Sequence, residues 1–226
     1  MTLKPKVLAL IVLATLLVAA LGYWAYGTYK RQELRRAVSA ILADVSPRMR
    51  EALAIEAGLP VEGRIGLGPQ LEQHAAVVDQ RLQQLKSMDG TPDLPLFDAA
   101  DSYVLTVREI LRKQAASNLH RESLTQSLEA LRKHMRADDR TGGWVTEAVV
   151  ARERVDRDYR EYRIATEAFG AVLNTLTAAQ TKIAPYVDAS LLSDVRLIGE
   201  TRSRTLEALK QLAAEMEQVK QLETYR

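Results

Sequence analysis

The stretch WVTEAVVARERVDRDYREYRIATEAFGAVLNTLTAAQTKI, residues 144–183, decides the fold, because about forty residues pass without a proline and with one glycine, Gly170. Alternating steps of three and four residues from Val145 give a line of positions on one helix face, which we call the seam. Most of its positions are apolar: Val145, Ala148, Arg152, Val155, Tyr159, Tyr162, Thr166, Phe169, Leu173, Leu176, Gln180 and Ile183. Such a helix is about 60 Å long. Because a narrow apolar stripe does not stabilise an isolated helix, this one must pack lengthwise on others.

Other segments have the same spacing and supply the partner helices. The predicted helices span residues 30–57, 70–88, 96–138, 144–184 and 186–225. The glycine- and proline-containing stretches 58–69, 89–95 and 141–143 separate them, and Pro185 ends the fourth helix or begins the fifth. No segment alternates with period two, so no strand is predicted. The sequence therefore predicts an all-α fold, in which an N-terminal transmembrane helix precedes an elongated antiparallel up-and-down helical bundle or coiled coil.

Each predicted helix has its own seam. In the first two helices these positions are Leu34, Val38, Ile41, Leu42, Val45, Met49 and Leu53, then Leu71, Ala75, Val78, Leu82 and Leu85. In the third they are Leu96, Ala100, Tyr103, Val107, Ile110, Gln114, Ser117, Arg121, Leu124, Leu128, Leu131 and Met135. In the fifth they are Leu191, Val195, Ile198, Arg202, Thr205, Leu209, Leu212, Met216 and Val219. Pro47 is predicted to kink the first helix.

The N-terminal segment has the composition of a membrane span. Residues 7–29 contain no charged side chain and as a helix would extend about 34 Å, close to the hydrocarbon thickness of a bilayer. Its C-terminal end holds four aromatic residues, as in the aromatic belts of membrane interfaces: Tyr23, Trp24, Tyr26 and Tyr29. A cleaved signal peptide is the alternative, but no A-x-A site is present and the aromatic belt favours a retained signal anchor. We therefore expect residues 1–29 to form a cytoplasmic tail and anchor, and residues 30–226 the bundle domain.

Charge is distributed unevenly along the chain. The net charge is +2, yet residues 1–36 hold six basic groups and one acidic group, so the remainder holds 25 basic and 28 acidic groups. A slightly acidic body disfavours nucleic-acid binding. Lys4 and Lys6 in a short tail favour a translocated C-terminal domain, whereas the four basic residues just after the span favour the reverse. We expect a single-pass protein of a bacterial inner membrane with a periplasmic domain.

Catalytic and metal-binding patterns are absent from the sequence. The chain has no cysteine, which excludes disulfides and thiolate ligands. His74, His120 and His134 form no Glu-x-x-His or His-x-x-x-His pair. The glycine-rich stretch 58–69 lacks the Gly-Lys-Ser/Thr ending of a phosphate loop, and no G-x-S-x-G is present. The charged stretch 152–163 pairs opposite charges four residues apart, which is typical of a solvated helix face. We expect no enzyme activity, no metal and no cofactor.

One candidate site emerges when the seams are aligned across the two short connections. Folding the third helix back on the fourth places Ser117 opposite Thr166 and Arg121 opposite Tyr162. Folding the fifth back near Pro185 places Arg202 beside Thr166, with a close approach of Gly170 and Gly199. Polar seam residues of three helices would then share one level: Gln114, Ser117, Arg121, Tyr162, Thr166, Arg202 and Thr205.

Two buried guanidinium groups need counter-charges, and the predicted seams offer no carboxylate at this level. The hypothesis is that a small anionic molecule, or a partner's carboxylate, neutralises Arg121 and Arg202 while the hydroxyl groups orient it. In the alternative, both arginines extend to the surface and the polar layer fixes the helix register.

Two functions follow from this plan. The first is a non-enzymatic membrane-anchored scaffold or accessory subunit of an envelope complex, with a protein partner or as a homo-oligomer. The plan also resembles the ligand-binding helical bundles of bacterial membrane sensors, which implies a bundle that binds a small anion. Because no second span follows the bundle in this sequence, we expect such a sensor to signal through a partner protein. A sensor should enclose the polar layer around a cavity, whereas a scaffold should expose an apolar stripe.

Overall fold

The computed structural model describes residues 5–58, 66–88, 93–136 and 144–224. Five α-helices lie in these ranges: α1 Pro5–Gly58, α2 Gly68–Lys86, α3 Leu94–Arg136, α4 Trp144–Ile183 and α5 Val195–Thr224. A short 3-10 helix, Ala189–Leu191, lies between α4 and α5. The described ranges contain no strand, and the helices pack against one another, so the predicted all-α bundle is confirmed.

Contacts between polar side chains show how the helices run. Arg81 and Gln70 of α2 contact Asp44 and Glu51 of α1, at 2.8 and 3.3 Å, so these two helices are antiparallel. The central helix α3 packs against α1, α2 and α4, and α5 packs against α1 and α4. Successive helices therefore alternate in direction, which makes α1, α3 and α5 parallel to one another.

Helix α1 is one continuous helix and includes Pro47. Proline removes one backbone donor, so it leaves only the carbonyl of Ala43 without its helical partner. Ala43 is exposed, and water can reach that carbonyl. Pro47 therefore does not end α1, and no break in the helix separates the predicted anchor from the predicted bundle domain.

The core has two parts, and they involve different helices. The larger part is built by α1, α2, α3, the C-terminal half of α4 and the first turn of α5. Every seam residue predicted for α1 and α2 is buried in it. The smaller part lies at the end of the bundle further from the N-terminus of α1. It is built only by residues of α3, α4 and α5. It consists of Leu124, Leu128, Leu131, Ala151, Val155, Tyr162, Leu212 and Met216.

The predicted start of the fifth helix at residue 186 is wrong. Residues 184–194 form a longer connection, in which the carboxylate of Asp188 accepts a hydrogen bond from the Ser190 N–H at 2.8 Å. Asp194 then accepts from the Arg196 N–H at 2.8 Å, as helix N-cap residues do, and α5 begins at Val195. Two capping aspartates thus delay the helix beyond Pro185.

The other helix boundaries differ less from the prediction. Helix α2 begins at Gly68 with Pro69 in its first turn, where proline is well tolerated, and α3 begins at Leu94. Differences of two residues are usual at helix ends. The predicted loops at 59–65 and 89–92, the turn at 141–143, the end of the third helix at 138 and that of the fifth at 225 lie outside the described residues.

Candidate functional site

Helices α3 and α4 meet in the predicted alignment. The hydroxyl oxygens of Ser117 and Thr166 lie 2.8 Å apart and form a buried hydrogen bond. Arg121 and Tyr162 are buried one turn further along the same two helices. The predicted pairing of Ser117 with Thr166 is therefore confirmed, and the short connection between α3 and α4 explains why the sequence determines it.

The predicted alignment of α4 with α5 is wrong. Arg202 is exposed, and Thr201 occupies the buried position, where its hydroxyl oxygen lies 2.8 Å from the Leu197 carbonyl of its own helix and 3.2 Å from the Leu53 carbonyl of α1. A Cβ atom added to Gly170 would lie 3.8 Å from Thr205 Cγ2, whereas one added to Gly199 would contact nothing within 4 Å. The longer connection shifts α5 along α4, so Arg202 does not join Arg121 in one layer.

Of the seven predicted site residues, Arg202 is the exposed one. The six buried ones are Gln114, Ser117, Arg121, Tyr162, Thr166 and Thr205. Thr205 packs against α4 at Gly170, one turn from Thr166, and its hydroxyl donates to the Thr201 carbonyl of its own helix at 2.9 Å. The layer with two guanidinium groups is therefore not formed, and whether the buried residues bind a ligand stays a prediction.

Asp158 is a buried seam carboxylate that the sequence prediction missed. It is 5% exposed, and it accepts a short hydrogen bond from the Ser127 hydroxyl and another from Arg157 Nε at 3.3 Å. The prediction placed Arg152 and Tyr159 on the seam, one residue after the buried Ala151 and Asp158. In this stretch charged residues dominate, so the apolar pattern does not distinguish the two registers.

A second buried carboxylate lies at the end of α1. Glu56 is 7% exposed, and its Oε2 accepts from Gln114 Nε2 at 3.3 Å. The same Gln114 nitrogen donates to the Ala52 carbonyl at 2.8 Å. Gln114 therefore joins α3 to α1 through both contacts, rather than facing α4 as the predicted layer requires.

These carboxylates change the charge balance of the buried polar residues. Among the described residues, Arg121 is a buried cation at 5% exposure, and Glu56 and Asp158 are buried anions. Formal charge in this group is negative, not positive. Glu56 contacts Gln114, seven residues before Arg121, and Asp158 contacts Ser127, six residues after it. The expectation that no seam carboxylate lies at the level of Arg121 itself therefore stays a prediction.

A second group of buried hydroxyls lies in the larger core. The hydroxyl oxygens of Ser46, Tyr103 and Ser193 have no hydrogen-bond partner among the described residues. Burial raises the pKa of Tyr103, and the neighbouring Ser46 and Gln180 side chains offset part of that rise. Gln180 Nε2 donates to the Ser193 carbonyl at 3.2 Å. Polar groups from α1, α3, α4 and the connection before α5 thus lie close together.

A shallow groove separates parts of α4 and α5. Its volume is about 480 Å³, and its lining combines apolar and charged side chains: Asp156, Tyr159, Arg160, Ala213, Met216 and Glu217. The predicted polar residues do not line it. Outside the N-terminal segment, exposed large apolar residues are distributed over α3, α4 and α5, as in Leu105, Ile164 and Leu206. They do not form a stripe along one helix of the described chain.

Residues 12–26 of α1 have no packing partner in the described chain. All of them are exposed, including Trp24 at 69%, and from position 12 onward Leu34 is the first buried residue. Among the described helices, α1 is long and apolar enough to cross a membrane, judged by length and composition. Just after this segment Lys30 pairs with Glu33 at 2.9 Å, and Arg31, Arg35 and Arg36 are exposed.

Comparisons with known proteins give no relative: no family model, no curated protein and no solved structure matches the chain. Within the described ranges, no three histidine, aspartate or glutamate side chains converge on a position suited to a metal ion. The function must therefore be inferred from the geometry of the chain.

Proposed function

We propose that this chain is a non-enzymatic, membrane-anchored helical scaffold or accessory subunit. The observation that supports it is the composition of α1, which is apolar and unpacked over residues 12–26 and packs one face into the bundle from Leu34 onward. An apolar helix surface of this size is costly in water, whereas a bilayer covers it. The same helix thus serves as anchor and as core element.

The junction between anchor and bundle is short. From Tyr29, the last residue of the aromatic belt, to Leu34 the helix rises about 7.5 Å. This distance leaves no room for a flexible linker, so the bundle is held directly at the membrane surface. A domain with a fixed height and orientation suits a scaffold that presents its helices to a protein partner or to a second copy of itself. The described helices of the bundle carry no exposed apolar stripe, so these contacts would involve polar helix faces and separate apolar residues such as Ile164 and Leu206.

The location follows from the sequence flanking the anchor. We infer a single-pass protein of a bacterial inner membrane with its bundle in the periplasm, because Lys4 and Lys6 directly precede the proposed span. The slightly acidic body supports protein contacts over nucleic-acid contacts.

The ligand-sensing alternative is less well supported. It relied on two guanidinium groups sharing one buried layer without a carboxylate. Arg202 is exposed, and Glu56 and Asp158 are buried near the ends of the polar seam that contains Arg121. The polar seam residues therefore support a role in helix register, which is a common use of buried polar groups between helices.

Alkaline extraction and protease access test the anchor and its orientation. In bacterial cells that express the full chain, we expect the protein to remain with membranes after an alkaline wash. Added protease should digest residues 30–226 only after the outer membrane is made permeable. Release by the wash would refute the anchor, whereas digestion only from the cytoplasmic side would refute the periplasmic location.

The partner is tested by cross-linking at exposed helix positions. A photoreactive residue at Leu206 or Ile164 should give discrete cross-linked products, because a scaffold contacts defined partners. The same residue at the buried Leu173 is the matched control. Absence of any discrete product from exposed positions on α3, α4 and α5 would contradict the scaffold function.

A further inference from the structure

Three exposed arginines follow the aromatic belt on α1. Arg31, Arg35 and Arg36 lie two, six and seven residues after Tyr29, which places their Cα atoms about 3 to 10 Å beyond it along the helix. The polar layer of a bilayer adds about 5 to 8 Å to each side of the hydrocarbon. If α1 crosses the membrane as proposed above, on which this inference rests, these guanidinium groups lie at the level of lipid phosphates.

The arginines are available to an external anion. Glu33 is the sole acidic residue among positions 1–36, and its carboxylate pairs with Lys30. Within the part of the chain that the structure describes, Arg31, Arg35 and Arg36 form no ion pair. Residues 30–36 thus carry a net charge of +3, with three guanidinium groups outside any internal pair.

The positions of the three arginines around α1 favour contact with lipids over contact with other helices of the bundle. At about 100° per residue, Arg31 and Arg35 lie on one flank of the buried Leu34 face, and Arg36 lies nearly opposite that face. The three groups therefore cover an arc of about 140° that the bundle leaves open. A single small anion does not span this arc, whereas neighbouring lipid headgroups around the helix do.

We propose that Arg31, Arg35 and Arg36 bind the phosphates of anionic phospholipids and concentrate these lipids around the anchor. Guanidinium groups bind phosphate through two parallel hydrogen bonds, and basic residues beside a span are attracted to anionic headgroups. The bound lipids would neutralise the positive segment and hold the first turns of the bundle at the headgroup layer.

Trp24 provides a spectroscopic probe for this site. The chain has two tryptophans, so Trp144→Phe leaves Trp24 alone in the upper part of the span. The full-length Trp144→Phe protein is placed in phosphatidylcholine vesicles that contain a small fraction of brominated lipid. We expect brominated phosphatidylglycerol to quench Trp24 at a several-fold lower mole fraction than brominated phosphatidylcholine, because arginine-bound lipids have their chains beside the span.

Two triple variants separate local binding from overall charge. Arg31→Gln/Arg35→Gln/Arg36→Gln should abolish the preference for the anionic lipid. The control Arg132→Gln/Arg154→Gln/Arg202→Gln removes the same charge from exposed positions in the bundle and should retain the preference. Loss of the preference in the control would overturn the proposal.

The remaining outcomes distinguish the possible failures. Equal quenching by both lipids would show an anchored protein without a lipid site and would refute this inference alone. Absence of quenching by either lipid would refute the anchor itself. Free glycerol phosphate should leave the preference for the anionic lipid unchanged. If this compound abolished the preference, the arginines would be assigned to binding a soluble phosphate ester instead.

Discussion

The hydrogen bond between Ser117 and Thr166 allows a quantitative test of how α3 and α4 align. The two oxygens lie 2.8 Å apart, and the residues are 8% and 3% exposed. Ser117→Ala leaves the Thr166 hydroxyl buried without this partner, which costs about 1–3 kcal/mol in general. Because a helical threonine can turn to a carbonyl of its own helix, we expect the lower end, about 1 kcal/mol.

The double variant Ser117→Ala/Thr166→Val removes both hydroxyls and should cost less than the sum of the single variants. We expect a coupling free energy of about 0.5–1.5 kcal/mol. Thermal unfolding of the full chain in detergent, followed by circular dichroism, measures it, since about 1 kcal/mol shifts the melting temperature of a protein this size by about 2–4 °C.

A matched cycle uses exposed hydroxyls on the same helices. Ser123 is exposed, and the Thr175 hydroxyl bonds to the Val172 carbonyl of its own helix at 2.8 Å. Ser123→Ala and Thr175→Val should therefore be additive. A coupling for Ser117 and Thr166 no larger than that of this control would mean that the two hydroxyls do not meet, and it would refute the alignment.

Four further substitutions test polar residues of the bundle that differ in burial. Arg121→Met should lower the free energy of unfolding by about 2 kcal/mol or more, and Arg202→Met should change it by less than about 0.5 kcal/mol; equal effects in thermal unfolding would contradict their assigned burial. The hydrogen bond from Arg81 lowers the pKa of Asp44 below 3.8, so Asp44 stabilises the fold above that pH and loses its contribution as the pH falls through the lower folded value. Denaturant unfolding should show that Asp44→Asn lowers the free energy of unfolding by a constant amount near about pH 7 and by a smaller amount in acid. A larger loss in acid would mean that the pKa of Asp44 is raised, not lowered, by folding. Tyr103→Phe removes a buried hydroxyl that has no hydrogen-bond partner among the described residues, so the melting temperature should stay unchanged or rise; a clear decrease would show that this hydroxyl is bonded in the folded protein.

The sequence predicts the bundle well where the apolar stripe is wide. The apolar residues of α1 and of α2 are spaced so that each helix can place them on a single face. Examples that are buried are Leu42 and Met49 of α1 and Leu71 and Leu85 of α2. In the first third of α4 the stripe is narrow, and Ala151 and Arg152 are equally compatible with the neighbouring apolar positions. Packing against α3 determines which of these two residues is buried. The spacing of apolar residues within α4 alone does not contain this information.

The sequence predicts the alignment of α3 with α4 at the candidate site, but not the alignment of α4 with α5. The short connection between α3 and α4 restricts their alignment, so the pairing of Ser117 with Thr166 follows from simple folding back. The alignment of α5 depends on the path of residues 184–194, which a reading of Pro185 as a tight turn does not capture. Asp188 and Asp194 carry the missing signal, because each accepts a backbone N–H two residues later.

The unbroken course of α1 also fixes the rotational phase between anchor and bundle. Each residue between Tyr29 and Leu34 turns the helix by about 100° and advances it by about 1.5 Å. In the proposed membrane-anchored arrangement, loss of one residue there would rotate the bundle by about 100° around the axis of α1 and would change its height by only about 1.5 Å. In that arrangement, the proposed span determines the direction in which each face of the bundle points relative to neighbouring membrane proteins.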